Sequence, residues 1–318
     1  MPPPSPILMR TLAAAALAAS LLLVGSCTPR NTGEIEGMGI GQAVVLGLVE
    51  GLTEYIPVSS TGHLILAQRA MRIGTTQESK IAADAYVICI QAGAILAVLG
   101  LYRQDVYRML RGLAGRDPGG LRLFMNIIVA FAPAAVLGLS AGNAIKEHLF
   151  GLGWVVSAWF LGGVAILLVS RHDRGSDPGE GIGLYSVPVR CALLIGLAQC
   201  IAVWPGTSRS LATIVGGVLV GLSVRSAVVF SFLLGAVTLT ASTLHDAIAH
   251  GALMRDSYGW ASILTGFVVA FLAAIVAVRW MVEYLKSHGL TLFGYYRIVL
   301  ALVVAGLMAA GLLDRSPS

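Results

Sequence analysis

The sequence predicts an all-α polytopic membrane protein, laid out as an inverted repeat of one re-entrant helical hairpin plus three transmembrane helices, twice over. Three observations carry this reading. The chain is 57% hydrophobic and only 12% charged, with a mean hydropathy of +0.83, whereas a soluble domain carries about 25% charged residues. Apolar runs of about 20 residues recur from end to end, each long enough to cross ~30 Å of hydrocarbon. A closed β-barrel, the other spanning solution, would show alternation instead. Finally, two apolar stretches, 40–68 and 188–219, are interrupted near their middles by proline, glycine and hydroxyl residues. Irregular backbone at membrane depth must be buried in protein or line a wet cavity, so both stretches predict re-entrant hairpins.

Taken in order, residues 1–37 stand apart. One basic residue, Arg10, precedes an apolar run that ends in small residues before Cys27. That pattern fits a secretory signal with a lipoprotein-like VGSC, an uncleaved anchor helix, or a misassigned start with Met38 as the true first residue. The first repeat occupies 38–170, with hairpin 40–68 and spans 81–101, 121–141 and 152–170. The second occupies 171–318, with hairpin 188–219 and spans 225–247, 257–282 and 292–313. The hairpins resemble each other: AVVLGLVEGLTEYIPVSSTG from Ala43 lies on ALLIGLAQCIAVWPGTSRS from Ala192. Gly47 then meets Gly196, Glu50 meets Gln199, and a one-residue gap brings Pro57 onto Pro205. Three crossings after each hairpin force the second copy into the opposite orientation, a plan shared by many transporters. Gly93, Gly138, Gly162 and Gly163 read as ordinary packing positions within the spans.

Loop charge sets the orientation. Segments 102–120, 171–190 and 283–291 fall on one side and carry Arg103, Arg108, Arg111, Arg116, Arg171, Arg174, Arg190 and Lys286. The opposite side carries Arg69, Arg72, Lys80, Lys146, Arg255 and Arg315. The richer side is expected in the cytoplasm, so the first hairpin enters from outside and the second from inside. The net charge of +5 is loop bias at a membrane and not a nucleic-acid surface. The four cysteines form no CxxC pair, and apolar thiols are expected rather than a disulfide frame or zinc site. No G-x-x-x-x-G-K-[ST] nucleotide loop is present.

The polar chemistry is concentrated in the two hairpins. Glu50 and Glu54, at i and i+4, share one helix face, and Gly47 and Gly51 beside them allow close helix approach. An intramembrane carboxylate pair can hold a divalent cation, share a proton, or be neutralised by an arginine of the bundle. Pro57 ends that helix. Ser59, Ser60 and Thr61 can cap the next one, whose first N–H groups then form an anion site. Ser60 and His63, three apart, could act as nucleophile and base, or as a plain cap and an interior histidine. In the second hairpin, Arg209 suits bidentate phosphate binding or neutralisation of Glu50 or Glu54. Gly206, Ser208, Ser210 and Thr213 surround it in sequence. An acid-phosphatase type of lipid phosphatase would need a histidine shortly after the arginine, where the chain has Val215.

EGLTEYIPVSSTGH followed by WPGTSRSLAT resembles the undecaprenyl-diphosphate phosphatase family of bacteria, the bacitracin-resistance type, from about Met38 to the C-terminus. The resemblance implies hydrolysis of a polyprenyl diphosphate lipid to the monophosphate and inorganic phosphate, recycling the carrier for cell-wall synthesis. It implies a divalent cation (Mg2+ or Ca2+) at Glu50 and Glu54, a catalytic set of Glu50, Glu54, Ser60, His63 and Arg209, and phosphate binding by Ser59, Thr61, Gly206, Ser208, Arg209, Ser210 and Thr213. It also implies a multi-pass protein of the bacterial inner membrane with its site facing the periplasm. The expected partners are the lipid substrate and membrane lipid, with room for a homodimer and no nucleic acid. Leu211 departs from the glycine usual after SRS in the family.

Overall fold

The computed structural model describes residues 37–149, 151–172, 180–285 and 287–313. The signal-like segment, and Arg174, Lys286 and Arg315 of the charge comparison, lie outside the described residues. Among the described residues the fold is all-helical and has no strand; Ile182 and Leu222 form an isolated bridge. In chain order the helices are α1 Ile40–Thr53, α2 Ser60–Ala70, α3 Gln77–Leu101, α4 Arg103–Leu113, α5 Pro118–Leu149, α6 Leu152–His172, α7 Val189–Cys200, α8 Arg209–Leu219, α9 Val224–Leu285 and α10 Thr291–Ala309.

Five of these, α3, α5, α6, α9 and α10, are long and apolar enough to cross a membrane. The chain is a multi-pass membrane protein. By contrast α1, α2, α7 and α8 have 14, 11, 12 and 11 residues. At 1.5 Å per residue none covers ~30 Å. Each pair is joined by the polar, proline-bearing turn that the sequence marks.

Local chemistry sets the ends. Thr76 starts α3 by a reciprocal cap: its hydroxyl accepts from the Ser79 N–H at 3.2 Å and the Ser79 hydroxyl accepts from the Thr76 N–H at 2.9 Å. The spans expected at 225–247 and 257–282 are the two helical arms of α9, which join at Gly259, and the loop expected at 248–256 continues the first arm as helix. Reversal falls on Gly259 alone, with φ 69 and ψ 159, a backbone state that only glycine takes without steric cost. The two arms then run back to back along α3. Met254, Tyr258 and Ile263 pack with Ala82–Ile90 at one end, and Leu239 and Val278 pack with Ala94–Val98 at the other. The helix approach expected of Gly47 and Gly51 is present. A Cβ at Gly51 would overlap the Ala270 carbonyl, and one at Gly47 would come 2.6 Å from the Gly266 carbonyl.

The segment expected as loop 102–120 contains α4. Its Val106 and Met109 pack inward while Tyr107, Leu110 and Leu113 are exposed. Arg108 ties α4 to the start of α5, its Nε donating to Asp117 Oδ2 at 2.8 Å while lying 3.6 Å over the Tyr185 ring. The Arg108 guanidinium, and then the Gly120 N–H, hold the Asp117 carboxyl at about 2, against 3.8 ordinarily. A depressed carboxyl contributes stability that is present above its unfolded value and lost as pH falls through its folded one. Asp117→Asn is expected to lower the thermal midpoint at neutral pH, and its gap from wild type should close between pH 3.8 and about 2. A gap that stays constant across that window would show that the ion pair contributes nothing.

Candidate active site

The turns of the two short-helix pairs meet inside the bundle. Ser210 Oγ donates to the Ile56 carbonyl of the first turn at 3.1 Å. Arg297, from the middle of α10, is fully buried and reaches both turns. Its guanidinium donates to Pro57 O at 3.3 Å and Gly206 O at 2.9 Å, and also to Ala158 O at 2.8 Å and Trp159 O at 3.4 Å. The Trp159 indole N–H adds a bond to Val58 O at 3.1 Å. Non-helical carbonyls that would otherwise be unsatisfied at membrane depth are thereby paired.

Held in this way, Glu54 of the first turn faces Arg209 at the start of α8. Arg209 Nη2 lies 2.8 Å from Glu54 Oε1, and both side chains are about nine-tenths buried. The Ser60 hydroxyl donates to the other oxygen, Glu54 Oε2. Glu54 thus links a permanent cation to a serine that starts a helix. Arg209 Nη1 donates to Ser231 O at 3.4 Å, its Nε has no partner, and its guanidinium stands 5.6 Å from the Tyr55 ring. Two of its five N–H donors are committed to the Glu54 and Ser231 oxygens.

These groups line a cavity of about 1210 Å³ together with Glu50, Ser59, Thr61, Gly206 and Ser208. Arg69, Arg72 and Lys80 line it farther out. Glu50 is 1% exposed and its Oε1 has no partner. Ser59 and Ser208, the residues that precede α2 and α8, both have φ 75. The Ser208 hydroxyl caps Leu211 N–H at 3.2 Å, whereas Ser59 makes no side-chain cap. The first amides of α2 therefore keep the anion-binding character of an uncapped helix start.

Three expected site residues stand behind this wall. His63 does not meet Ser60. Its Nδ1–H donates to Ser59 O at 2.6 Å, and Nε2 accepts from the Tyr296 hydroxyl at 2.8 Å. Ser210 is spent on Ile56 O, and Thr213 donates to Arg209 O at 2.9 Å and sits 2.6 Å from Ser231 Oγ. Both brace the arginine turn rather than face the cavity. Among the described residues no group of three or more His, Cys, Asp or Glu converges as a metal site.

The model of the family described as bacitracin resistance protein BacA matches residues 43–303. The chain belongs to that family. Its curated relatives include "Undecaprenyl-diphosphatase 2" of Rhodospirillum rubrum, 45% identical over 86% of this chain and 97% of that protein. "Undecaprenyl-diphosphatase" of Sorangium cellulosum is 44% identical over 82% and 84%, and that of Methylococcus capsulatus 42% over 85% and 95%.

In this member of the BacA family the sequence reading missed Arg297, Gly235, Trp159 and Tyr296. Arg297 carried a signal, because it is an ionisable residue inside an apolar span, the same feature that singled out Glu50. Gly162, read as ordinary packing, clears space for the Arg297 guanidinium, and Gly235 does the same for Arg209. A lysine at 297 keeps the charge but offers a point donor in place of a planar fork, so not all four carbonyls can be served. Arg297→Lys is expected to cost about 2–4 kcal/mol in unfolding free energy, read from denaturant unfolding in detergent. An unchanged midpoint would mean that the turns are held by other contacts.

Proposed function

We propose that this chain is a membrane phosphatase that hydrolyses undecaprenyl diphosphate to undecaprenyl phosphate and inorganic phosphate, recycling the lipid carrier and conferring bacitracin resistance. The observation that carries the reading is the buried Arg209–Glu54–Ser60 line in the wall of the cavity, together with the names of the relatives.

The terminal phosphate sits against the unused N–H donors of Arg209 and the first amides of α2. Ser60 Oγ attacks the terminal phosphorus while its proton passes to Glu54 Oε2, the oxygen it already faces. The bond from that phosphorus to the bridging oxygen breaks, and the lipid leaves as the monophosphate. Water then cleaves the phosphoserine, with Glu54 handling the second proton. Arg209 offsets the charge that grows on the phosphoryl oxygens. A divalent cation, Mg2+ or Ca2+, supplies neutralisation of carboxylate and diphosphate charge when bound. The donor atom that fits it is the unpartnered Glu50 Oε1, because both Glu54 oxygens are committed to Arg209 and Ser60. His63 supports the turn through Ser59 and is not needed as the base.

The same reading places the chain in the bacterial inner membrane with the cavity open to the periplasm, on the loop-charge argument. It retains the inverted repeat, 38–170 and 171–318, with α1–α2 and α7–α8 as re-entrant hairpins. Gly47 and Gly196, Glu50 and Gln199, and the two φ 75 serines are separated by one constant interval of 149 residues. The helix starts therefore superimpose without the gap that aligning the prolines requires.

Purified protein is expected to release inorganic phosphate from undecaprenyl diphosphate, with less release after chelation. Arg209→Ala should lose at least about 100-fold and Glu54→Gln about 100- to 10,000-fold. Unimpaired release by a folded Arg209→Ala protein would overturn the proposed site, and lipid binding without release would make the protein a carrier. Gly235→Ala, whose new methyl displaces the Arg209 guanidinium, should lower turnover about 100-fold while the protein stays folded. Turnover equal to wild type would show that the guanidinium needs no fixed seat.

A further inference from the structure

Gln199 stands one residue before the end of α7 and is 2% exposed. Its side chain lines the same cavity as Arg209 and Glu50. The Thr238 hydroxyl, which donates to Leu234 O at 3.0 Å, also lies 3.4 Å from Gln199 Oε1. One end of the amide lies beside Thr238 of α9; as placed it is the oxygen, and Nε2, buried and carrying two N–H donors, has no partner. A primary amide left half unused at membrane depth is costly unless something else fills it. Glu50 is not that partner, since Glu50 Oε1 is also unpaired. Both residues stand nine positions before a serine with φ 75, so the second helix pair carries an uncharged donor where the first carries a carboxylate.

We infer that Gln199 is a substrate-binding residue whose side-chain amide nitrogen donates to a phosphate oxygen of the diphosphate. The inference rests on the phosphatase reading and extends it, because it gives the α7–α8 pair a second contact besides Arg209. The chemistry suits the place. The cavity wall already carries Glu50, Glu54 and Asp84, and a further carboxylate would repel a diphosphate, whereas an amide donates without adding charge. Arg209 supplies the cation, and Gln199 fixes which way the anion lies.

The test compares wild type, Gln199→Leu and Gln199→Glu, all checked for monodispersity, by phosphate release from undecaprenyl diphosphate across a pH series. The expected result for Gln199→Leu is a KM raised about 10-fold with kcat changed less than about 3-fold. Gln199→Glu should be worse than Gln199→Leu at neutral pH and should recover as the pH falls, because a protonated carboxyl can donate again. Neither wild type nor Gln199→Leu should show that recovery. Inorganic pyrophosphate, as a probe independent of turnover, should raise the thermal midpoint of wild type more than that of Gln199→Leu. If Gln199→Leu does not stay folded, the isosteric Gln199→Glu and its pH profile decide alone. Unchanged KM in both variants, or equal loss of kcat with no recovery at low pH, overturns the inference while the phosphatase reading stands. A wild type that releases no phosphate overturns both.

Discussion

A guanidinium without a carboxylate sits at the centre of this molecule, and the two polar turns depend on it. Arg297 is 0% exposed, and its hydrogen bonds go to four main-chain carbonyls drawn from the first turn, the second turn and α6. The reason lies in the solvent. Chain that leaves the helix at membrane depth exposes carbonyls that no water or intrahelical N–H will satisfy. One planar cation with five donors can serve several of them at once, and the carbonyl dipoles in turn stabilise the buried charge. Because the same side chain binds Pro57 O and Gly206 O, the turns are fixed relative to each other. Only then can Glu54, from one, face Arg209, from the other, at 2.8 Å.

That second contact is a different kind of interaction. A buried ion pair is weak evidence for stability, since desolvating both charges offsets much of their attraction. The Arg209–Glu54 pair is better understood as holding the two turns of the cavity wall in register. Arg209 keeps donors unspent, Glu54 accepts from Ser60, and Gly235 leaves the volume in which the guanidinium lies. Glu50, one helical turn before Glu54, keeps an unpaired oxygen in the cavity wall. An anion entering this space would meet prearranged donors, and the cost of arranging them was met during folding.

Much of this was legible because charge inside apolar sequence is conspicuous. Glu50, Glu54 and Arg209 stand out against their surroundings, and the breaks at Pro57 and Pro205 lie close to where α1 and α7 end. Other features are relations between distant residues and leave no local trace. Gly235 matters because of a side chain that folding brings from α8, and nothing around it in sequence differs from other span glycines. The helical stretch at 248–256 contains Arg255 and Asp256, which read as loop, yet Met254 within it and Tyr258 just beyond it pack against α3. Tertiary packing outweighed local polarity there. The amphipathic spacing of Val106, Met109, Leu110 and Leu113 was in plain view, and its short length among four arginines concealed a surface helix as a charged loop. Ser60 and His63 have helix spacing that permits contact, but Tyr296, more than two hundred residues away, claims the ring nitrogen that spacing alone leaves free.

The backbone at Ser59 and Ser208 brings these threads together. A non-glycine residue at φ 75 costs about 1–3 kcal/mol and persists only where its surroundings dictate it. At Ser59 the dictating contact is the His63 ring, whose Nδ1–H holds the Ser59 carbonyl. At Ser208 it is the hydroxyl, which caps Leu211 and lies 2.9 Å from Ser210 Oγ. Glycine would relieve the strain at either position but would remove a hydroxyl from the cavity wall. The left-handed step is also what turns the chain sharply enough for α2 and α8 to begin at the cavity, with Ser60 and Arg209 as their first residues. Strain at two caps thus places a nucleophile candidate and its cation at the starts of two short helices.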